Sequence, residues 1–293
     1  MNRRNNIAYT ILCLLIGFSF SKDVNAQKEK KSLLWEISGN GLTEKSYLYG
    51  TIHIICPDDF FMGNHVKAAF NSTDQLVMEL NMSDGSELRK AQELMVATEP
   101  VDYKGLLTEG QYQALDAKLT ERLGVGMSRM GVMKPFAISS ILQLMVMDCE
   151  EMASYENSFQ EMAVTNEMII SGLETATFQM SIFDDIPQEE QIQWIVDYIE
   201  NQESGQTDWR KMVETYKAQD VEALGNIFNN FPEFKKYEEE LITNRNKNWI
   251  SKIETLTKEK SIFVAVGAAH LGGKNGVIRL LKKAGYKVTP VTE

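Results

Sequence analysis

The chain has 293 residues, 41 acidic against 30 basic side chains, and a formal charge of −11. So acidic a surface argues against nucleic acid and anionic membranes as partners, because both present negative charge. With only three histidines and three cysteines, the position of each carries weight.

Arg3 and Arg4 precede an apolar run, Ile7 to Phe20, and Val24-Asn25-Ala26 before Gln27 fits a small-residue cleavage pattern. The segment 1–26 reads as a secretory signal peptide, with an uncleaved N-terminal anchor as the alternative. Cys13 lies inside the run after Thr10-Ile11-Leu12, which lacks the small residue of a lipoprotein signal. Processing would remove Arg3, Arg4, Lys22 and Asp23 and take the charge from −11 to −13. Cys56 and Cys149 would remain, either paired in an oxidising compartment or as two small buried thiols.

Leu33 to Ile37 and Ser46 to Ile52 read as strands, and Gly39-Asn40-Gly41 between them predicts a β-hairpin. A loop over 57–62 and a short helix over 65–70 follow. Gln75 to Leu80 is a third strand with a carboxylate, Glu79, near its far end, and a polar stretch runs from Asn81 to Ser86. From about 103 to 259 the pattern is helical. Thr108 with Gln111 makes a capping box, and Pro135, Pro187 and Pro232 each open a helix. The last of these, 233 to about 257, carries Tyr237, Leu241, Arg245 and Trp249 at a spacing of four. Gly172-Leu173-Glu174-Thr175 reads as a tight turn between helices. Strands return at Ile262–Val266 and Lys287–Val291, around a helix over 275–283.

This order predicts an α/β fold with a mixed or mostly parallel central sheet formed by the N- and C-terminal segments. A large helical insert caps the strand ends.

Two of the three histidines share one frame, Gly-x-x-His: Gly50-Thr51-Ile52-His53 and Gly267-Ala268-Ala269-His270. With 19 glycines in the chain, two such matches arise by chance about 1% of the time. Each frame ends a strand-like run, where α/β proteins place their chemistry. Gly50 and Gly267 permit backbone turns that would aim both imidazoles across neighbouring strand tips. Two histidines and a carboxylate form a familiar open metal site, and Glu79, set in an apolar strand, needs a partner for its charge. His65 lacks the frame and reads as a surface residue. Glu174 reads first as part of a helix-capping turn, and Arg245 with Asn246 as a solvated face of a charged helix. Gly272, Gly273 and Gly276 match no phosphate-binding spacing.

Tyr47-Leu48-Tyr49-Gly50-Thr51-Ile52-His53 resembles the opening motif of the TraB/GumN family, which includes Tiki-like metalloproteases. Leu76-Val77-Met78-Glu79 is similar to its strand-borne glutamate. Gly172-Leu173-Glu174-Thr175 with Gln179, and Asn244-Arg245-Asn246 with Trp249, resemble its middle motifs. Val264 to Leu271, with Gly276 and Gly285-Tyr286-Lys287-Val288, resembles the closing one. The resemblance covers nearly all of 27–293 and implies one domain, distantly related in fold to erythromycin-esterase-like and haem-binding ChaN-like proteins. It also implies metal-dependent peptide cleavage, with His53, His270 and Glu79 holding a divalent ion (Mn, Co or Zn) and Glu79 as ligand or general base.

The expectation is therefore a periplasmic or secreted metal-dependent hydrolase, most simply a peptidase, with Arg245 or Glu174 orienting a peptide or protein substrate. No stable membrane insertion is expected once the signal is cleaved. The alternative is a non-enzymatic protein that binds a peptide or haem in the same pocket, with His53 or Tyr49 as the axial ligand.

Overall fold

A computed structural model describes residues 31–147, 149–230 and 232–293. The signal-peptide reading of 1–26 lies outside the described residues. Among the described residues no helix is long and apolar enough to cross a membrane.

Six strands form one sheet: β1 (Leu34–Ser38), β2 (Ser46–Thr51), β3 (Gln75–Leu80), β4 (Ile169–Glu174), β5 (Ile262–Gly267) and β6 (Lys287–Val291). Their order is β4-β3-β5-β2-β1-β6. β4, β3, β5 and β2 run parallel, whereas β1 is antiparallel to both β2 and β6. The fold is thus α/β with a mixed sheet. Strands covered on both faces read as unbroken apolar runs. Accordingly β5, Ile262-Phe263-Val264-Ala265-Val266, is at most 1% exposed, and Leu76, Val77 and Met78 of β3 are buried. The β1–β2 hairpin turns where expected, with Gly39, Asn40 and Gly41 at φ of 77°, 50° and 82°. That left-handed region suits Gly and Asn and few other residues.

An aromatic cluster forms the centre of the core. Phe263 of β5 lies 5.0 Å from Phe159 and 5.1 Å from Phe70, ring centre to ring centre, and Tyr49 of β2 lies 5.3 Å from Phe159. Helix Asn64–Asn71 supplies Phe70, helix Tyr155–Thr165 supplies Tyr155 and Phe159, and helix Asn244–Glu259 adds Trp249 and Ile253. The insert has smaller cores of its own, one around Leu115, Ile138, Leu142 and Ile195 and another around Phe136, Met180 and Trp194. The capping box at Thr108 and Gln111 is present, and Pro135 opens helix Pro135–Leu144 from its first turn.

Four expectations need correction. Gly172-Leu173-Glu174 is not a turn between helices but the end of β4, so the insert contributes an edge strand to the sheet. Ile169, Ile170 and Leu173 are apolar, but Ser171-Gly172 splits them, which is why the strand character is faint. The long helix expected from 233 is broken into Pro232–Lys235, a π-helical turn at Glu239–Thr243, and an α-helix at Asn244–Glu259. The polar stretch after β3 opens an unforeseen helix, Gly85–Met95, whose cap is Asp84 accepting from Ser86 N–H. Pro187 caps its helix from just outside, at the N-cap of Gln188–Glu200.

Cys56 and Cys149 are joined in a disulfide, with Cα atoms 5.8 Å apart. Beside it, Ile55 and Ala153 exchange backbone hydrogen bonds in both directions, at 3.0 and 2.8 Å.

Candidate functional site

The carboxyl ends of β2, β3, β4 and β5 lie along one rim of the sheet, the usual place for a site in an α/β fold. β2 and β5 are neighbours, and their register sets Thr51 against Gly267. His53 and His270 therefore leave adjacent strand tips. At Gly50 a Cβ would stand 3.0 Å from the Ala268 methyl and from Leu271 Cδ2, so glycine allows the two tips to close. At Gly267 the space a Cβ would fill lies 3.2 Å from Glu79 Oε1, 3.6 Å from His270 Cδ2 and 3.7 Å from His53 Nε2. The three groups expected from sequence meet over one missing side chain.

His270 is 4% exposed and its tautomer follows from its neighbours. Asn246 Nδ2 donates to the carbonyls of His270 (3.2 Å) and Asn275 (2.9 Å), which leaves Asn246 Oδ1 as an acceptor 2.7 Å from His270 Nδ1. The imidazole must carry its hydrogen on Nδ1, and its Nε2 lone pair faces Arg245 Nη1 at 3.3 Å and Glu79 Oε1 at 3.8 Å. The ring rests 4.4 Å from that of Trp249. Burial pushes its pKa down to about 3; the charge of Glu79 opposes that and Arg245 adds to it. His270 is neutral at physiological pH.

His53 is its opposite. Its side chain is 67% exposed, and Nδ1 lies 2.9 Å from Glu156 Oε1, an oxygen that also accepts from Thr51 Oγ1 at 2.6 Å. Desolvation by its surroundings disfavours the imidazolium, but the Glu156 hydrogen bond and charge, with the charge of Glu79, outweigh it and raise the pKa to about 9.

Glu79 is 8% exposed. Oε1 accepts from Gly267 N–H at 2.8 Å, and Oε2 accepts from Arg245 Nη2 at 2.6 Å and Gln179 Nε2 at 3.3 Å. Burial alone would raise its pKa. His270, Arg245, His53 and the Gly267 N–H together hold it well below the usual carboxylate range. Arg245 is the hub of the cluster: Nε and Nη2 also donate to Glu174 at 2.8–3.1 Å, and Nη1 donates to the Leu241 carbonyl one turn back. Trp249 Nε1 donates to Glu174 at 2.9 Å, and its ring lies 5.1 Å from the guanidinium carbon. Far from lining a solvated face, Arg245 and Asn246 are 7% and 0% exposed. Glu174, also 7% exposed, is closed off by Arg245 and Trp249.

Other residues stand apart. Tyr49 is 1% exposed and packs into the aromatic core, so it offers no axial position to a haem. His65 is half-buried, 3.5 Å from Glu293, outside the cluster. Cavities of about 350 Å³, beside Phe60 and Lys217, and about 390 Å³, beside Lys134 and Asp184, also lie elsewhere. Glu156 is the site residue that sequence reasoning missed: an acidic residue in a first helical turn looks like ordinary capping.

Among the described residues no three His, Cys, Asp or Glu side chains are arranged to hold a metal ion as they stand. Arg245 takes up His270 Nε2 and one oxygen of Glu79. The donor set itself fits a divalent ion, since each histidine has an acceptor at Nδ1, His53 turns Nε2 toward Gly267, and His270 Nε2 lies 3.8 Å from the Glu79 oxygen beside the same glycine.

Arg245→Met leaves two buried carboxylates without their cation and is expected to cost about 3–5 kcal/mol in urea unfolding at neutral pH. In the parent, the depressed Glu79 pKa gives stability that is present above the ordinary carboxylate range and lost in strong acid. Without Arg245, burial dominates and the pKa rises, so the deficit should shrink as pH is lowered toward about 4–5. A deficit independent of pH would contradict this account.

The sequence model of the TraB/PrgY/gumN family matches residues 33–290, a span that takes in β1 to β5, all but the last residue of β6, both Gly-x-x-His frames, Glu79, Glu174 and Arg245. No curated protein and no solved structure gives a significant match. With nearly its whole length matched, the chain belongs to the TraB/PrgY/gumN family.

Proposed function

We propose that the protein is an exported, divalent-metal-dependent hydrolase, and that its substrates are peptides or proteins. The observation that carries this reading is the convergence of His53 Nε2, His270 and Glu79 Oε1 over Gly267. His53, His270 and Glu79 would hold the ion, with manganese, cobalt and zinc all compatible with imidazole and carboxylate donors. A divalent ion bound there supplies an acidified water and a polarised carbonyl.

The chain's own residues do the rest. Asn246 keeps the hydrogen of His270 on Nδ1, so Nε2 stays a donor of electrons. Glu79, held well below the usual carboxylate range, suits a ligand better than a proton acceptor. Arg245 must yield His270 Nε2, and it remains fixed by Glu174 as a cation beside the reacting group. In this reading Glu174 acts on substrate through Arg245. The exposure of His53 supports an open shelf that accepts an extended chain. Neither nucleic acid nor a membrane is a partner in this reading. We also infer the finer kinship, to erythromycin-esterase-like and ChaN-like folds, supported by the mixed sheet with its four parallel strands.

Metal analysis of protein purified without chelator, set beside peptide hydrolysis, tests the proposal. His53→Ala and His270→Ala are expected to lose metal and activity together, non-additively in the double variant. Glu79→Gln should lose metal affinity as well as rate; full metal binding with a rate down about 10²–10⁴-fold would make Glu79 the general base instead. Because His53 must shed its proton to bind, Co²⁺ affinity should rise with pH, about tenfold per unit, until pH about 9. Unaltered hydrolysis in both histidine variants would overturn the reading.

Export is part of the same proposal, and the Cys56–Cys149 disulfide supports an oxidising compartment, periplasmic or extracellular. N-terminal sequencing of the exported protein should begin at Gln27. An intact Met1 in the cytoplasmic fraction would contradict it.

A further inference from the structure

The loop that carries His53 is fastened at three successive points to the segment 149–156, which leads into helix Tyr155–Thr165. The Cys56–Cys149 disulfide is the first, and the paired backbone hydrogen bonds of Ile55 and Ala153 are the second. The third is Glu156, whose Oε1 meets His53 Nδ1 at 2.9 Å and accepts from Thr51 Oγ1 at 2.6 Å. Its other oxygen accepts from Ser154 Oγ at 3.3 Å, and Ser154 is the N-cap of the same helix. A carboxylate in a first helical turn is favoured by the free N–H groups there, so Glu156 is held from both sides.

We propose that Glu156 is a positioning residue for His53, and that the disulfide and the Ile55–Ala153 bridge form the clamp that delivers its carboxylate. An exposed imidazole left to itself turns freely and can carry its hydrogen on either nitrogen. An acceptor fixed at Nδ1 removes both freedoms: in the neutral ring the hydrogen stays on Nδ1, and the Nε2 lone pair is aimed over Gly267. Asn246 does the same for His270, so each histidine is presented by a side chain borrowed from the helical insert. The two differ in that Glu156 is charged and Asn246 is not. Thr51 matters because its hydroxyl holds the shared oxygen in place, leaving the carboxylate little room to swing. The benefit to metal binding rests on the proposed function above; the orientation of the ring does not.

The test uses the full chain with its disulfide intact, beside Glu156→Ala, Glu156→Gln and Cys56→Ser/Cys149→Ser, each checked for folding by circular dichroism. Ring ¹H–¹⁵N correlation spectra of the metal-free proteins, recorded where His53 is neutral, read which nitrogen bears the hydrogen. The parent should show Nδ1–H. Glu156→Ala should shift the ring toward Nε2–H, whereas Glu156→Gln, which keeps an acceptor oxygen, should largely preserve the parent form. The double serine variant should fall between parent and Glu156→Ala. Calorimetry with Co²⁺ should show a loss of about 10–100-fold in affinity for Glu156→Ala and a smaller loss for Glu156→Gln. An unchanged tautomer in Glu156→Ala overturns the proposal, and so does equal Co²⁺ affinity in parent and Glu156→Ala. A parent that takes up no Co²⁺ overturns the metal reading instead, and the tautomer spectra then decide the role of Glu156 by themselves.

Discussion

One buried guanidinium holds this site together. Arg245 lies between Glu79 at the end of β3 and Glu174 at the end of β4, with His270, beyond β5, against its third nitrogen. Neither carboxylate is more than a tenth exposed, and each would be costly to bury alone. Only a planar, permanently charged fork can satisfy two carboxylates and an imidazole at once; a lysine would offer charge without that geometry. Three strand tips and one helix are therefore fixed relative to each other by a single side chain. The π-helical turn just before it, Glu239–Thr243, sets the rotation of the helix from which Arg245 and Asn246 reach inward. Such turns recur at functional sites because they re-aim the residues that follow.

The same cluster makes two matching sequence frames chemically unlike. His270 is sealed between Trp249, Asn246 and Arg245, and burial keeps it neutral. His53 faces solvent beside a carboxylate that keeps it charged at neutral pH. The rim thus offers one buried neutral imidazole and one exposed cationic one across a single glycine. A repeated motif fixes only backbone placement; the protonation of each ring is set by neighbours drawn from other parts of the chain.

That division also explains what the sequence disclosed. The two histidine frames, Glu79 and the alternation of strands and helices at each end were legible because they are local patterns with a clear period or spacing. β4 was not, because Ser171-Gly172 splits its apolar residues and the run sits inside an otherwise helical stretch. The turn at 236–237 and the π-helical turn before Asn244 were hidden by Tyr237, Leu241, Arg245 and Trp249, whose spacing of four suggests an unbroken α-helix. Glu156 was invisible for a different reason. Its partner lies 103 residues away, and nothing near it in sequence marks it as more than a helix-start acid.

The position of β5 has a consequence for how the protein comes into being. It is the strand that fills the place between β3 and β2, and its first residue bonds to Ser46, 216 residues earlier. A chain made from its N-terminus builds both flanking strands long before the one that joins them, and contacts so distant in sequence form slowly. Until then β2 and β3 have no common neighbour, and Glu79 lacks both the Gly267 N–H and the His270 imidazole. Biogenesis and chemistry are thereby ordered in time: no partial product of synthesis can carry the complete cluster, and the site comes into existence only when the last strands arrive.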